Sequence, residues 1–196
     1  LSLYQEETTA MNLLTVTNLS AGYAGKQVIK DISFFVAPKT IVGILGANGC
    51  GKTTLIKAIA NLLPHTGSCQ LDDTYLENAS PRQLALLCGY IPQKSGISID
   101  LTLLDVVLMG FNPKLSLLQS PTEQMKKEAF DALCSVGLGS RKDDNFQQLS
   151  EGQKQLCLLA RTFVLKRRLL LLDEPESALD FRLRYDCLLY TSDAAD

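Results

Sequence analysis

Residues 46–53, Gly-Ala-Asn-Gly-Cys-Gly-Lys-Thr, decide the fold, because they fit the pattern GxxxxGK followed by Ser or Thr at every position. An apolar run at 40–45 precedes them, and a helical pattern at 51–63 follows. Glycines let backbone N–H groups turn inward onto phosphate oxygens, and the start of a helix adds positive potential. This setting predicts a phosphate-binding loop between a buried central strand and a helix. Lys52 is expected to reach the β- and γ-phosphates, and Thr53 to hold Mg²⁺ through its hydroxyl.

A second informative stretch lies at 169–174, where four leucines are followed by Asp173 and Glu174. Such a run predicts a buried parallel strand whose carboxyl end carries the two acids. Asp173 would sit where Mg²⁺ bridges the phosphates, and Glu174 could polarise the attacking water. Two carboxylates at the end of a buried strand are costly without a cation, so a metal site is favoured over a pair of solvated charges.

Length and composition indicate a globular protein. The 196 residues are 46% apolar and 20% charged, which excludes a disordered chain. Nineteen Lys and Arg against 21 Asp and Glu give a net charge of −2, which argues against a nucleic-acid partner. The sequence contains no run of about 18 consecutive apolar residues, so we expect the chain not to span a membrane by itself. Its first residues show no basic-then-apolar pattern of the kind expected for a signal peptide. The six cysteines form no CxxC pair, so we expect reduced thiols.

Both ends of the chain are expected to be foreign to the fold. Residues 1–10 precede the first methionine, Met11, and are predicted to be translated upstream sequence, with a short disordered extension as the alternative. Residues 187–196 match one reading frame of a transposon-end sequencing adapter, which predicts an adapter-derived scar. A further parallel strand would normally follow residue 186. We therefore expect the chain as it stands to have little activity.

The part between these ends is predicted to be an α/β protein with a mixed or parallel sheet, a β-rich N-terminal part and an inserted α-helical subdomain. The predicted divisions are a nucleotide-binding core at 11–93, a helical subdomain at 94–166 and a return to the core at 167–186. Alternating or apolar runs predict further strands at 13–19, 28–36 and 89–92. Further helices are predicted at 82–87, after Ser80 as N-cap and Pro81, and at 101–109, 121–136 and 150–166.

Five further motifs resemble those of the ATP-binding subunit of ABC transporters. Tyr23 matches the A-loop aromatic residue, Gln93 the Q-loop, residues 149–153 (Leu-Ser-Glu-Gly-Gln) the signature motif, the pair 173–174 the Walker B acids and residues 177–180 (Ser-Ala-Leu-Asp) the D-loop. The resemblance covers nearly all of 11–186 and implies a P-loop NTPase core that takes ATP and Mg²⁺.

The resemblance implies a role for each matching residue. Glu174, Lys52 and Gln93 would be catalytic, and Thr53, Gln93 and Asp173 would bind the metal. The implied nucleotide contacts are Tyr23, Gly46, Asn48, Gly49, Cys50, Gly51, Lys52, Thr53, Thr54, Ser150, Gly152 and Gln153.

The residues alone leave other interpretations open for three of these positions. Tyr23, implied to stack on adenine, could be a loop aromatic packed on the core, and Gln93 could be a solvated polar residue. Ser150 could be only the N-cap of the helix that follows it, whereas the resemblance implies that this helix end faces the γ-phosphate of ATP held by a second subunit.

Two positions depart from the family's pattern. Glu151 stands where the family usually has glycine, which places a negative charge near a helix end that should meet phosphate. We expect weakened rather than abolished activity, because Ser150 and Gly152 are retained. His65, the only histidine, follows the P-loop helix too closely to be the family's switch histidine, and it is predicted to be a solvated loop residue.

Three short stretches, at 107–110, 156–161 and 179–181, are similar to the importer group for iron chelates, haem and cobalamin. This similarity implies an ATP-hydrolysing subunit at the cytoplasmic face of a bacterial membrane. Its partners would be a second copy, permease subunits and, indirectly, a substrate-binding protein, with no nucleic acid. We expect the permease to dock near Gln93 and the apolar residues of 97–111. A non-transport ABC ATPase and a nucleotide-binding regulatory module with little turnover remain as alternatives.

Overall fold

The computed structural model describes residues 12–93, 96, 100–116 and 118–174. The chain divides into two compact units, Leu1–Ala79 and Ser80–Asp196, and each is described by itself. Both predicted foreign ends and the D-loop match at 177–180 lie outside the described residues. The predicted domain boundaries therefore stay predictions.

The described part of the first unit contains a four-stranded antiparallel sheet with the order β2-β1-β3-β4 and one α-helix, α1 (Lys52–Ile59). Its strands are β1 (Leu14–Tyr23), β2 (Lys26–Val36), β3 (His65–Leu71) and β4 (Thr74–Tyr75). The turn between β1 and β2 has only two residues, Ala24 and Gly25, both with positive φ (48° and 78°), as a tight hairpin requires. The strands predicted at 13–19 and 28–36 are confirmed.

The predicted buried strand at 40–45 is wrong. The structure has no strand there, and Ile41 and Leu45 are 71% and 95% exposed. A strand is stable only where a neighbouring strand supplies hydrogen-bond partners, and none of the described strands pairs with 40–45. Apolar composition therefore did not suffice to make this segment a strand.

The prediction for His65 is also wrong. His65 is not a solvated loop residue but the first residue of β3, where it pairs with Ala21 of β1, and only 4% of its side chain is exposed. Neither β3 nor β4 was predicted. The stretch 65–71 is mostly polar and contains Gly67, so its strand structure comes from pairing with β1 rather than from intrinsic propensity.

Within its described residues, the second unit contains a two-stranded parallel sheet and four α-helices. Strands β5 (Cys88–Ile91) and β6 (Leu169–Leu172) pair in register from Cys88–Leu169 to Ile91–Leu172, which confirms the predicted parallel strand of leucines. The helices are α2 (Pro81–Leu87), α3 (Leu103–Leu108), α4 (Glu123–Ser135) and α5 (Glu151–Phe163). All four were predicted, with longer bounds for the last three. Ser80 caps α2 as expected, through a capping box with Gln83.

The core of the second unit lies among α3, α4 and α5. Its largest buried side chains include Phe111, Phe146 and Leu158. The prediction that 97–111 exposes several apolar residues is not met by the part that the structure describes. Residues 97–99 lie outside it, and in 100–111 the large apolar side chains are buried or half-buried apart from Met109, which is 38% exposed.

Candidate functional site

The loop at 46–53 is an exposed turn that runs directly into α1. Gly49 and Gly51 have φ values of 79° and 105°, a left-handed conformation that favours glycine. A Cβ atom on Gly51 would also lie 2.8 Å from Ile29 Cγ2 of β2. Both backbone strain and crowding therefore require glycine at 51.

Lys52 folds its side chain back across this loop. Its Nζ donates hydrogen bonds to the carbonyl oxygens of Gly46, at 2.8 Å, and Ala47, at 3.1 Å. The glycine N-cap offers no side chain to cap α1, and the first turn of α1 carries no acid. The loop thus combines an ammonium group with a positive helix end, which is an arrangement suited to phosphate.

The carboxyl end of β6 holds the two acids in the second unit. Asp173 is only 4% exposed, its N–H donates to Ile91 O at 3.0 Å, and its Oδ2 accepts from the Tyr90 hydroxyl at 3.3 Å. Glu174 has a φ of 49°, and its Oε2 accepts a hydrogen bond from the Gln93 side-chain amide. Gln93, Asp173 and Glu174, all singled out from the sequence, are thus brought to one sheet edge.

Two residues at this edge were not singled out from the sequence. Tyr90 of β5 contacts Asp173, and Gln155 of α5 donates to the backbone carbonyls of Pro92, at 3.2 Å, and Gln93, at 2.8 Å. Gln155 is 7% exposed, so its amide holds the segment that carries Gln93. The sequence signal that could have identified Gln155 is a polar residue among apolar residues at helical spacing in α5.

Ser150 is the N-cap of α5, as one of the open interpretations held. Its hydroxyl oxygen accepts from the Gln153 N–H at 3.3 Å, and the Gln153 side chain accepts from the Ser150 N–H at 3.2 Å. Glu151 in the first turn forms an ion pair of 2.8 Å with Lys154. The negative charge that departs from the family's pattern is therefore partly offset within the same turn.

The Ser150 hydroxyl differs from the hydroxyls of the other two capping boxes. In α2 the Ser80 hydroxyl also donates to Gln83 Oε1 at 2.8 Å, and in α3 the Thr102 hydroxyl donates to Asp105 Oδ2 at 2.6 Å. Among the described residues, Ser150 uses only its acceptor lone pair. Its hydrogen is thus left to donate to an added oxygen.

Tyr23 lies at the end of β1, beside the hairpin turn, with 47% of its surface exposed. An exposed ring can stack on a flat ligand, and this role stays a prediction. No helix in the described ranges combines the length and the apolar character needed to cross a membrane.

The family model described as "ABC transporter" matches residues 29–177, which is most of the chain. The chain belongs to the ABC transporter family. Similar curated proteins include a "Probable iron chelatin transport ATP-binding protein" of Helicobacter pylori, 40% identical over 87% of this chain and 68% of that protein. Another is a "Hemin import ATP-binding protein HmuV" of Bordetella parapertussis, 36% identical over 89% of this chain and 69% of that protein.

A solved structure, described as the ATP-binding subunit of an ABC transporter, matches with a TM-score of 0.76 and 27% identity, over 93% of this chain and 74% of that one. The predicted family and the P-loop NTPase fold are thereby confirmed. The chain is an ATPase of the ABC importer type, and it binds nucleotide.

Proposed function

We propose that this ABC ATPase powers the uptake of an iron chelate, haem or a cobalamin-type ligand. The observation that carries the proposal is the 40% identity to the Helicobacter pylori protein named for iron chelatin transport. The 36% identity to a hemin import protein supports the same ligand group. The ligand itself would be selected by other subunits.

We propose Mg²⁺ as the metal, because the donors at the implied positions are hard oxygens: the Thr53 hydroxyl, the Gln93 amide oxygen and the Asp173 carboxylate. When bound, Mg²⁺ neutralises the charge that develops on the phosphates. Asp173 is only 4% exposed, and a bound cation would offset the cost of burying its carboxylate. The Tyr90 hydroxyl positions that carboxylate by donating to its Oδ2.

In the proposed reaction, the oxygen of a water molecule attacks the γ-phosphorus as the bond to the ADP oxygen breaks. Glu174 receives the proton of that water, and phosphate and ADP leave. The Gln93 amide occupies Oε2 of Glu174, so it fixes the carboxylate while the remaining lone pairs can face the water. Lys52 and the glycine-rich loop would hold the transferred phosphate, and Tyr23 would stack on adenine.

We propose that two copies act together, with the start of α5 in one copy contacting the ATP held by the other. The hydrogen that the Ser150 hydroxyl leaves for donation supports this role, as do Gly152 and Gln153 in the same turn. Permease subunits would dock near Gln93 and Met109, a substrate-binding protein would deliver the ligand, and the chain would lie at the cytoplasmic face of the membrane.

Glu151 favours a second candidate, a regulatory module that binds ATP with little turnover. The ion pair with Lys154 weighs against it, because a cation 2.8 Å away offsets part of the negative charge at the α5 end. Basal ATPase activity of the protein purified from its own host distinguishes the two candidates. Turnover that is absent in the parent and unchanged in Glu174→Gln would favour the regulatory module.

Uptake by cells tests the ligand proposal. The gene is deleted in its own host, and accumulation of a radiolabelled ferric chelate, haem and cobalamin is measured separately. We expect one of the three to be lost, to be restored by the parent gene and not to be restored by Lys52→Ala. Full uptake of all three by the deletion strain, with ATPase intact in the purified protein, would refute the ligand group without touching the ATPase assignment.

A further inference from the structure

Three side chains with metal-binding atoms converge beside β3, and none of them belongs to the motifs assigned to the nucleotide. They are His65, Cys69 and Glu77, and one ligand atom of each lies within 4.8 Å of those of the other two. His65 and Cys69 belong to β3, and Glu77 belongs to a short 3₁₀ helix, Leu76–Asn78, that follows β4. All three belong to the first unit.

The Nε2 atom of His65 has no hydrogen-bond partner although it is buried, in a side chain that is only 4% exposed. The other ring nitrogen, Nδ1, lies 3.0 Å from the carbonyl oxygen of Leu63. A carbonyl can only accept, so Nδ1 carries the hydrogen, and in a neutral ring Nε2 then holds the lone pair. Metal-binding histidines have this same arrangement, with one nitrogen donating to a backbone carbonyl and the other facing the ion.

Glu77 faces the same space. Its Oε1 lies 3.6 Å from His65 Nε2, too far for a hydrogen bond, and it accepts the backbone N–H of Cys69. That N–H fixes the carboxylate next to the Cys69 side chain. A lone pair and a carboxylate oxygen that face each other at 3.6 Å repel unless a positive charge lies between them.

We propose that His65, Cys69 and Glu77 bind a divalent transition metal of the zinc type, at a site separate from the nucleotide site. A nitrogen, sulfur and oxygen set suits zinc and its neighbours, whereas Mg²⁺ prefers oxygen ligands alone. Metal–ligand bonds of about 2.0–2.3 Å give tetrahedral edges of about 3.4–3.8 Å. The 3.6 Å between His65 Nε2 and Glu77 Oε1 already matches such an edge, and the Cys69 sulfur, within 4.8 Å of both ligand atoms, needs to approach by at most about 1 Å. Water would take the fourth position, and the Cys69 thiol would release its proton.

Such an ion would connect β3 to the segment that follows β4. Because a metal that binds only the folded state stabilises that state, resistance of the protein to heat is expected to rise with metal concentration. Cys88, which is half-buried, and Cys157, which is buried, belong to no such group of metal-binding side chains among the described residues.

Cobalt(II) is the probe that tests this site, because its spectrum reports both thiolate ligation and tetrahedral geometry. The metal-free protein is titrated with Co²⁺ in excess Mg²⁺, which occupies any site of the nucleotide-binding type. We expect one Co²⁺ per chain, a near-ultraviolet thiolate-to-cobalt band and displacement by Zn²⁺. Cys69→Ser should abolish the band, and His65→Gln and Glu77→Gln should weaken binding by at least about 10-fold.

Cys134→Ser and Glu128→Gln, exposed positions on α4, are the matched controls and should behave like the parent. Glu77→Gln keeps a side-chain oxygen that can accept from the Cys69 N–H. It therefore tests the Glu77 carboxylate as a metal ligand even if Cys69→Ser fails to fold. Circular dichroism checks the folding of each variant. The proposal is overturned by a band that survives in Cys69→Ser or depends on Cys134. It is also overturned by binding that His65→Gln and Glu77→Gln leave unchanged, or by a His65 ring that stays doubly protonated and paired with Glu77 when Co²⁺ is added.

Discussion

Helices α1 and α5 both begin at proposed phosphate contacts, yet their first turns are built differently. α1 begins after Gly51, which has no side chain to cap the helix, and no acid lies in its first turn. α5 begins after Ser150, forms a capping box with Gln153 and carries Glu151 in its first turn. The start of α1 is therefore open to an anion, whereas the start of α5 is already stabilised by its own side chains.

This difference indicates two ways of presenting a helix end to phosphate. α1 depends on ligand oxygens and the ammonium group of Lys52, so ATP binding should depend on it in every copy. α5 is stable without a ligand and offers the remaining hydrogen of the Ser150 hydroxyl. Its contribution should appear in turnover, when a second copy is present, and not in the first binding step.

The largest effect is expected at α1. Lys52→Ala removes the ammonium group, and each lost charge-assisted bond of about 1.5–3 kcal/mol should weaken ATP binding by roughly 10–150-fold. Calorimetric titration with ATP measures the affinity. Lys57→Ala, at a lysine in the last turn of the same helix, is the control and should bind like the parent. Parent-like affinity in Lys52→Ala would show that this helix start is not the phosphate site.

The second-largest effect is expected on ATP turnover and dimer formation. It tests whether the start of α5 in one copy contacts the ATP held by the other. Glu174→Gln should keep ATP binding but slow turnover by at least about 100-fold, because the proton acceptor is lost. With hydrolysis blocked, ATP should trap a dimer on size exclusion, and adding Ser150→Ala should weaken that dimer. Glu128→Gln serves as the control. Normal turnover in Glu174→Gln would remove Glu174 from the role of general base.

A matched pair of serines separates capping from phosphate contact. Ser150→Ala and Ser80→Ala each remove the hydroxyl of a capping box, and each should lower the free energy of unfolding by about 0.5–2 kcal/mol. Only Ser150→Ala should also reduce ATPase activity, by roughly 10-fold, because a hydrogen bond to a charged oxygen is lost. Thermal denaturation and a phosphate-release assay measure the two quantities. Equal ATPase activities in the two variants would show that Ser150 caps α5 and does not contact phosphate.

The smallest effect concerns the charge at the start of α5. Glu151→Gln should raise ATPase activity by about two- to five-fold, because a negative charge near phosphate is removed while an exposed ion pair offsets only part of it. Lys154→Gln should act in the opposite direction, since it leaves Glu151 unpaired. Both changes should shrink as salt is added. Steady-state ATPase rates across a salt series measure them, and changes of the same sign would contradict the electrostatic explanation.

The sequence by itself determined the loop at 46–53, the acids after β6, the N-cap of α2 and the family, and it offered the N-cap of α5 as one of two interpretations of Ser150. These features depend on local requirements: glycine at positive φ, a hydroxyl three residues before a free N–H, and carboxylates at the end of an apolar run. Such requirements can be met only by certain residues at fixed spacing. They are therefore visible without knowledge of distant parts of the chain.

Tertiary structure decided the rest. The polar segment 65–71 became a strand because β1 offered an edge, while the apolar segment 40–45 remained unpaired and exposed. Tyr90 contacts Asp173, and Gln155 contacts the backbone of Gln93. Elsewhere, metal-binding atoms of three residues come together: His65, Cys69 and Glu77. Spacing along the chain predicts none of these contacts. Which strands pair and which side chains meet depends on which parts of the chain come together during folding. A local sequence pattern contains no information about the distant segment that a strand or side chain will contact.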